Sequence, residues 1–192
     1  MYSMNKIQFY SKFIAGTKLR DAINVSKSLK QKNVGTIFDF SVESSKNLNR
    51  NIDEIFKQIN LIDSGYIALK FSSLGIKNIN NCRNLIDQFY TENKKKDNPN
   101  KFLIDAEYND IQNDIYKLSD YAIDNYNNKY NKFFYKTLQM YRKDTWDIYE
   151  WDIKNFMNEN KYALKLVRGA YMTSDKQFIL KSKWETDQQY DH

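Results

Sequence analysis

The sequence predicts an α/β fold in which helices cover a parallel sheet of about six strands. Three observations support this. Short apolar runs of strand type alternate with longer stretches of helical spacing along all 192 residues. The strand runs are apolar almost without interruption, as expected of strands buried on both faces. Hydrophobic residues make up 41% of the chain and charged residues 28%, which suits one packed domain rather than a disordered tail.

The elements follow in order. Phe13-Ile14-Ala15 reads as a short first strand, and Leu19, Ala22, Ile23, Val25 and Leu29 recur at helical spacing between Thr17 and Lys32. Thr36 to Phe40 reads as the second strand. Leu48, Ile52, Ile55, Ile59 and Ile62 mark a helix that Gly65 can stop, and Tyr66 to Phe71 is the third strand. A helix around Leu85, Ile86 and Phe89 precedes the strand Phe102 to Asp105, and Ile111, Ile115, Leu118 and Ala122 mark the next helix. Phe133 to Tyr141 is a strand, Trp146, Tyr149, Ile153, Phe156 and Met157 form a helical stripe, and Ala163 to Val167 is the last strand. A closed eight-stranded barrel takes about 250 residues, so this pattern fits an incomplete (β/α)8 barrel. Periodicity leaves an open doubly wound sheet as the alternative.

Composition removes several kinds of chemistry. No run approaches the roughly 18 apolar residues of a membrane-spanning helix, and the start lacks a secretory signal, so an intracellular protein is expected. With Cys82 the only cysteine and His192 the only histidine, thiolate and imidazole metal sites are excluded, as is an internal disulfide. Demanding chemistry then falls to carboxylates, lysines, tyrosines or an organic cofactor. The net charge of +6 comes from lysines and arginines scattered among acids, and the run Lys94-Lys95-Lys96 sits in a polar loop with Pro99. No nucleic-acid partner is therefore expected, and a basic nucleic-acid-binding module is the weakest of the competing readings.

Polar side chains sit at or near the C-terminal ends of the strands: Asp39, Lys70, Asp105, Gln139, then Lys165 and Arg168. In parallel α/β folds those ends form the ligand site. Each such residue can also be an internal ion pair or a helix cap, but a shared polar pocket accounts for all of them together. Gly169-Ala170 directly after Arg168 suits either a close backbone approach by a ligand or a plain turn.

Four segments then resemble the proline dehydrogenase family, especially its eukaryotic mitochondrial type. Phe13-Ile14-Ala15-Gly16 is similar to its Phe-x-x-Gly segment, Ala68 to Gly75 resembles its lysine-bearing strand, and Leu103 to Tyr108 its acidic strand. The most specific are Thr137 to Tyr141 with Lys143-Asp144, paired with Leu164 to Met172. Trp184-Glu185-Thr186 and Tyr190-Asp191 resemble the segment that follows.

The resemblance implies a barrel that binds FAD, takes a hydride from proline to yield 1-pyrroline-5-carboxylate, and passes electrons to a quinone. Lys70 would help hold the substrate carboxylate and Asp105 would orient polar groups beside it. Gln139, Lys165, Val167, Arg168, Gly169, Ala170 and Tyr171 would contact the flavin and its phosphates. Mitochondrial residence is implied, although no clear presequence is present. The family's last strands and final helix, with a tyrosine and an arginine pair that clamp the proline carboxylate, have no counterpart after Asp191-His192. Residues 1–192 are accordingly expected to be one truncated barrel domain that self-associates or pairs with a complementing chain. An inactive relative that retains flavin or partner binding is the competing expectation.

Overall fold

The computed structural model describes residues 15–40, 47–171 and 175–179. Helix α1 (Leu19–Lys30) leads into strand β1 (Ile37–Phe38), followed by α2 (Leu48–Leu61) and β2 (Tyr66–Leu69). A 3-10 turn (Phe71–Ser73) precedes α3 (Ile79–Asn93) and β3 (Lys101–Ile104), then come α4 (Asn109–Tyr126) and β4 (Phe134–Gln139). Helix α5 (Thr145–Asp152) passes into a π-helical turn (Ile153–Met157), and β5 (Leu164–Val167) is followed by a short 3-10 turn (Lys176–Phe178).

All described strands are parallel and lie in the order β1-β2-β3-β4-β5. A doubly wound sheet requires the strand order to reverse at a switch point, and no reversal occurs here. The order is that of a barrel wall. Five strands are described; the expected first strand at Phe13-Ile14 lies outside the described residues. The expected run Thr36 to Phe40 contracts to Ile37–Phe38, and the run to Tyr141 ends at Gln139. There the carbonyl of Gln139 leaves the ladder to accept the Arg142 N–H at 3.1 Å and the Thr145 hydroxyl at 2.6 Å, which turns the chain.

The pleat assigns alternate residues to opposite faces. Phe38, Ile67, Leu69, Phe102, Ile104 and Phe134 pack against Ile55, Ile59, Ile86, Phe89, Ile115 and Leu118 of the helices in one continuous core. The N-cap asparagines Asn47 and Asn78 start two of those helices by accepting the N–H of Arg50 and Asn81, each at 3.1 Å. Cys82 is buried in this core, where loss of solvation pushes its thiol up to about 11, so it stays protonated at neutral pH.

Among the described strand residues, one charged side chain, Lys136, faces the helices. Lys136 of β4 is fully buried and bridges Asp120 of α4 at 2.8 Å and Asp152 of α5 at 2.6 Å, while the Tyr162 hydroxyl donates to Asp152 at 2.9 Å. These bonds tie two helices to the strand between them, and the winding changes from α to π immediately after Asp152.

Asn127 makes the clearest polar joint. Its amide oxygen accepts the N–H groups of Phe133 and Phe134 at 2.8 and 2.9 Å, and its nitrogen donates to the carbonyls of Phe134 and Lys161 at 2.7 and 3.0 Å. This one buried side chain ends α4 and aligns β4 with the approach to β5. Replacing Asn127 with Ala strands these backbone groups, and a loss of about 2–4 kcal/mol is expected in urea unfolding.

Candidate active site

The face of the sheet turned away from the helices carries a different set of residues. Register places Ile37, Tyr66, Ala68, Lys101, Leu103, Tyr135, Thr137, Gln139, Lys165 and Val167 there. Toward the N-terminal ends, Lys101 lies over the rings of Tyr66 and Tyr135 at 5.5 and 5.9 Å. Toward the C-terminal ends the face becomes charged.

Two ion pairs bring the expected strand-end residues together. Lys70 meets Asp39 at 2.9 Å, and Lys165 meets Asp105 at 2.5 Å. The second pair reaches from β5 to the end of β3 across β4 and so brings those two strand ends together. Around the sheet the charges alternate: Asp39, Lys70, Asp105, Lys165. Gln139 stands between Asp105 and Lys165 in strand order and is 1% exposed.

Burial raises the Asp105 carboxyl above its usual range, and the hydrogen bond and charge of Lys165 oppose that rise. Asp39 raises it further, whereas Lys70 lowers it. Because the folded value exceeds the unfolded one, the resulting stabilisation is fully present below the unfolded pKa and is lost as the pH climbs through the raised value.

Beneath these charges lies a buried polar frame. Glu107 is fully buried, its Oε1 accepts the Ser72 N–H at 3.0 Å, and its own N–H donates to Gln112 Oε1 at 2.7 Å. Its carbonyl accepts from Gln139 Nε2 at 3.2 Å. Glu107 thus links the turn that follows Lys70 to the strand end that carries Gln139. The Arg142 guanidinium grips Asp144 through two bonds of 2.9 and 2.7 Å and lies against the Phe178 ring at 4.8 Å.

The loop after β5 is only partly drawn into this site. Val167 offers its carbonyl to the Met140 N–H at 2.8 Å, and Arg168 offers its carbonyl to the Tyr141 N–H at 3.0 Å. Arg168 and Ala170 are exposed at the rim, and the Tyr171 ring stands 6.3 Å from that of Tyr108. Gly169 has φ +121°, and a Cβ there would fall 1.4 Å from an atom of the Tyr141 ring. The glycine is required by that close packing. Sequence reasoning assigned no role to Glu107, Tyr141, Arg142 or Asp175. Glu107 and Tyr141 lie within the family-like segments, whereas no local pattern marks Asp175 as buried.

If Lys165 offsets the desolvation of Asp105, then Lys165→Met raises the Asp105 pKa further. A carboxyl-carbon NMR titration should show the midpoint moving upward, and an unchanged midpoint would refute the pairing.

Comparison with known proteins bears on the fold and the family. The chain superposes on proline utilization A from Bdellovibrio bacteriovorus, inactivated by N-propargylglycine, with a TM-score of 0.78 at 15% identity, covering 97% of this chain and 24% of that one. A variant of proline utilization A from Bradyrhizobium japonicum gives a TM-score of 0.76 at 18% identity, covering 97% and 22%. At these identities the likeness shows the fold, and the chain spans about a quarter of the length of those proteins. No curated protein sequence matches the chain. The sequence profile described as proline dehydrogenase matches residues 22–192, and the chain belongs to the proline dehydrogenase family.

Proposed function

We propose that this chain forms part of the barrel of a flavoprotein that oxidises L-proline to 1-pyrroline-5-carboxylate, with FAD as hydride acceptor and a quinone as the onward electron acceptor. The observation that carries this reading is the convergence of Lys70, Asp105, Gln139 and Lys165 at the C-terminal ends of neighbouring parallel strands in a member of this family.

The residues suit a flavin. Gln139 offers both amide donor and acceptor capacity beside the charged strand ends, and Lys165 supplies positive charge one strand away. Arg168, exposed at the rim, and the backbone of Gly169 and Ala170 suit the phosphates, with Val167 and Tyr171 completing the support. When bound, FAD supplies the hydride acceptor.

The chain's own residues hold and orient the substrate. Lys70 is positioned by Asp39 to offer an ammonium to the proline carboxylate. Asp105, held by Lys165, orients the polar groups beside it. Oxidation removes a hydride from the ring carbon and a proton from the ring nitrogen, so a site of alternating charge can hold both ends of the zwitterion in register. Residence beside a quinone pool belongs to the same proposal.

The test is the visible spectrum of the purified chain loaded with FAD, recorded anaerobically before and after L-proline. A flavin band that proline bleaches supports the reading, and Lys70→Met should then weaken the proline response roughly 10- to 100-fold. A bound flavin that proline never bleaches favours the inactive-relative reading, and failure to bind FAD overturns the cofactor assignment.

A further inference from the structure

Tyr141 is a hub that the proposed chemistry leaves without a role. It lies just past the end of β4 and is 2% exposed. Its backbone N–H joins the Arg168 carbonyl at 3.0 Å, and its ring lies so close to Gly169 that a Cβ there would overlap it. Its hydroxyl is 2.6 Å from Asp175 Oδ2 and 3.1 Å from Gln139 Oε1. Asp175, fully buried, accepts the Asn109 N–H at the start of α4 at 3.1 Å through its other oxygen, and Arg142 Nη1 lies 3.7 Å from Oδ2. One phenol therefore connects the loops after β3, β4 and β5.

Hydrogen counting gives that hub a function. A phenol has one hydrogen, and here it faces two acceptors. The Gln139 amide is held at its nitrogen by the Glu107 carbonyl and bounded at its oxygen by the phenol, so the hydrogen's position decides how much acceptor strength Oε1 retains. Burial and the Asp175 contact raise the Tyr141 pKa, so the phenol keeps its hydrogen across the neutral range.

We infer that Tyr141, held by Asp175, is a positioning residue that sets the orientation and acceptor strength of the Gln139 amide toward a flavin ring. The inference rests on the proposed function for the identity of the ligand, but the Tyr141–Gln139 coupling is a property of the ligand-free protein. Tyr141→Phe separates the hydroxyl from the ring, because it preserves the packing against Gly169.

The experiment follows the side-chain amide resonances of Gln139 by ¹H–¹⁵N NMR, together with thermal unfolding and FAD affinity. For Tyr141→Phe, the Gln139 resonances should shift, the unfolding midpoint should stay within a few degrees, and FAD binding should weaken about three- to tenfold, the loss expected for one hydrogen bond. Asp175→Asn should move the same resonances, and the two substitutions combined should fall short of additivity. Unchanged Gln139 resonances in both variants would overturn the inference. Should Tyr141→Phe fail to fold, Asp175→Asn alone decides by the same resonances. If the parent chain binds no FAD, the cofactor proposal falls, and the shift in the ligand-free protein still decides the role of Tyr141.

Discussion

The parallel register is the constraint on which the rest of the structure depends. Pairing of Tyr66 with Lys101, Leu103 with Tyr135, and Thr137 with Lys165 turns every second side chain away from the helices. A slip of one residue would drive Lys165 into the helix layer and bring Leu164 or Leu166 out in its place. A slip in β2, β3 or β4 is opposed on the other face, where Ile67, Leu69, Phe102, Ile104 and Phe134 are fully buried, whereas Leu166 of β5 is 44% exposed. The apolar layer of β2 to β4 therefore helps fix the register that presents the charged layer.

Charge pairing at the strand ends is affordable because each charge meets its opposite. An uncompensated carboxylate at Asp105 would be costly, and the Lys165 contact across β4 reduces that cost while still leaving the carboxyl raised. The same logic governs Lys136 on the opposite face, which is buried between Asp120 and Asp152. The two lysine sites differ in surroundings. Lys136 is enclosed by helices and serves cohesion, whereas Lys70 and Lys165 keep partial exposure at the strand ends, where a ligand can reach them.

Much of the fold was legible because hydrophobic spacing is a local signal. The stripes of α2 and α4 and the apolar runs of β2, β3 and β5 all fell within a few residues of their expected limits. Strand order was not legible, since periodicity carries no information about which strands are neighbours. The ion pairs of Lys70 and Lys165 could be anticipated only as a shared polar location, because partner choice depends on register. The frame of Glu107, Tyr141 and Asp175 was the least visible. It joins residues up to 66 positions apart by single hydrogen bonds, and nothing in a linear pattern distinguishes a buried aspartate from a surface one.

The central claim is that the C-terminal strand ends form the flavin site. Backbone hydrogen exchange measured with and without FAD tests it most directly. Slowed exchange is predicted at Gln139 to Arg142 and from Lys165 to Tyr171, with the outer faces of α2 and α3 unchanged. Protection confined to the helices, with none at the ends of β4 and β5, would contradict it.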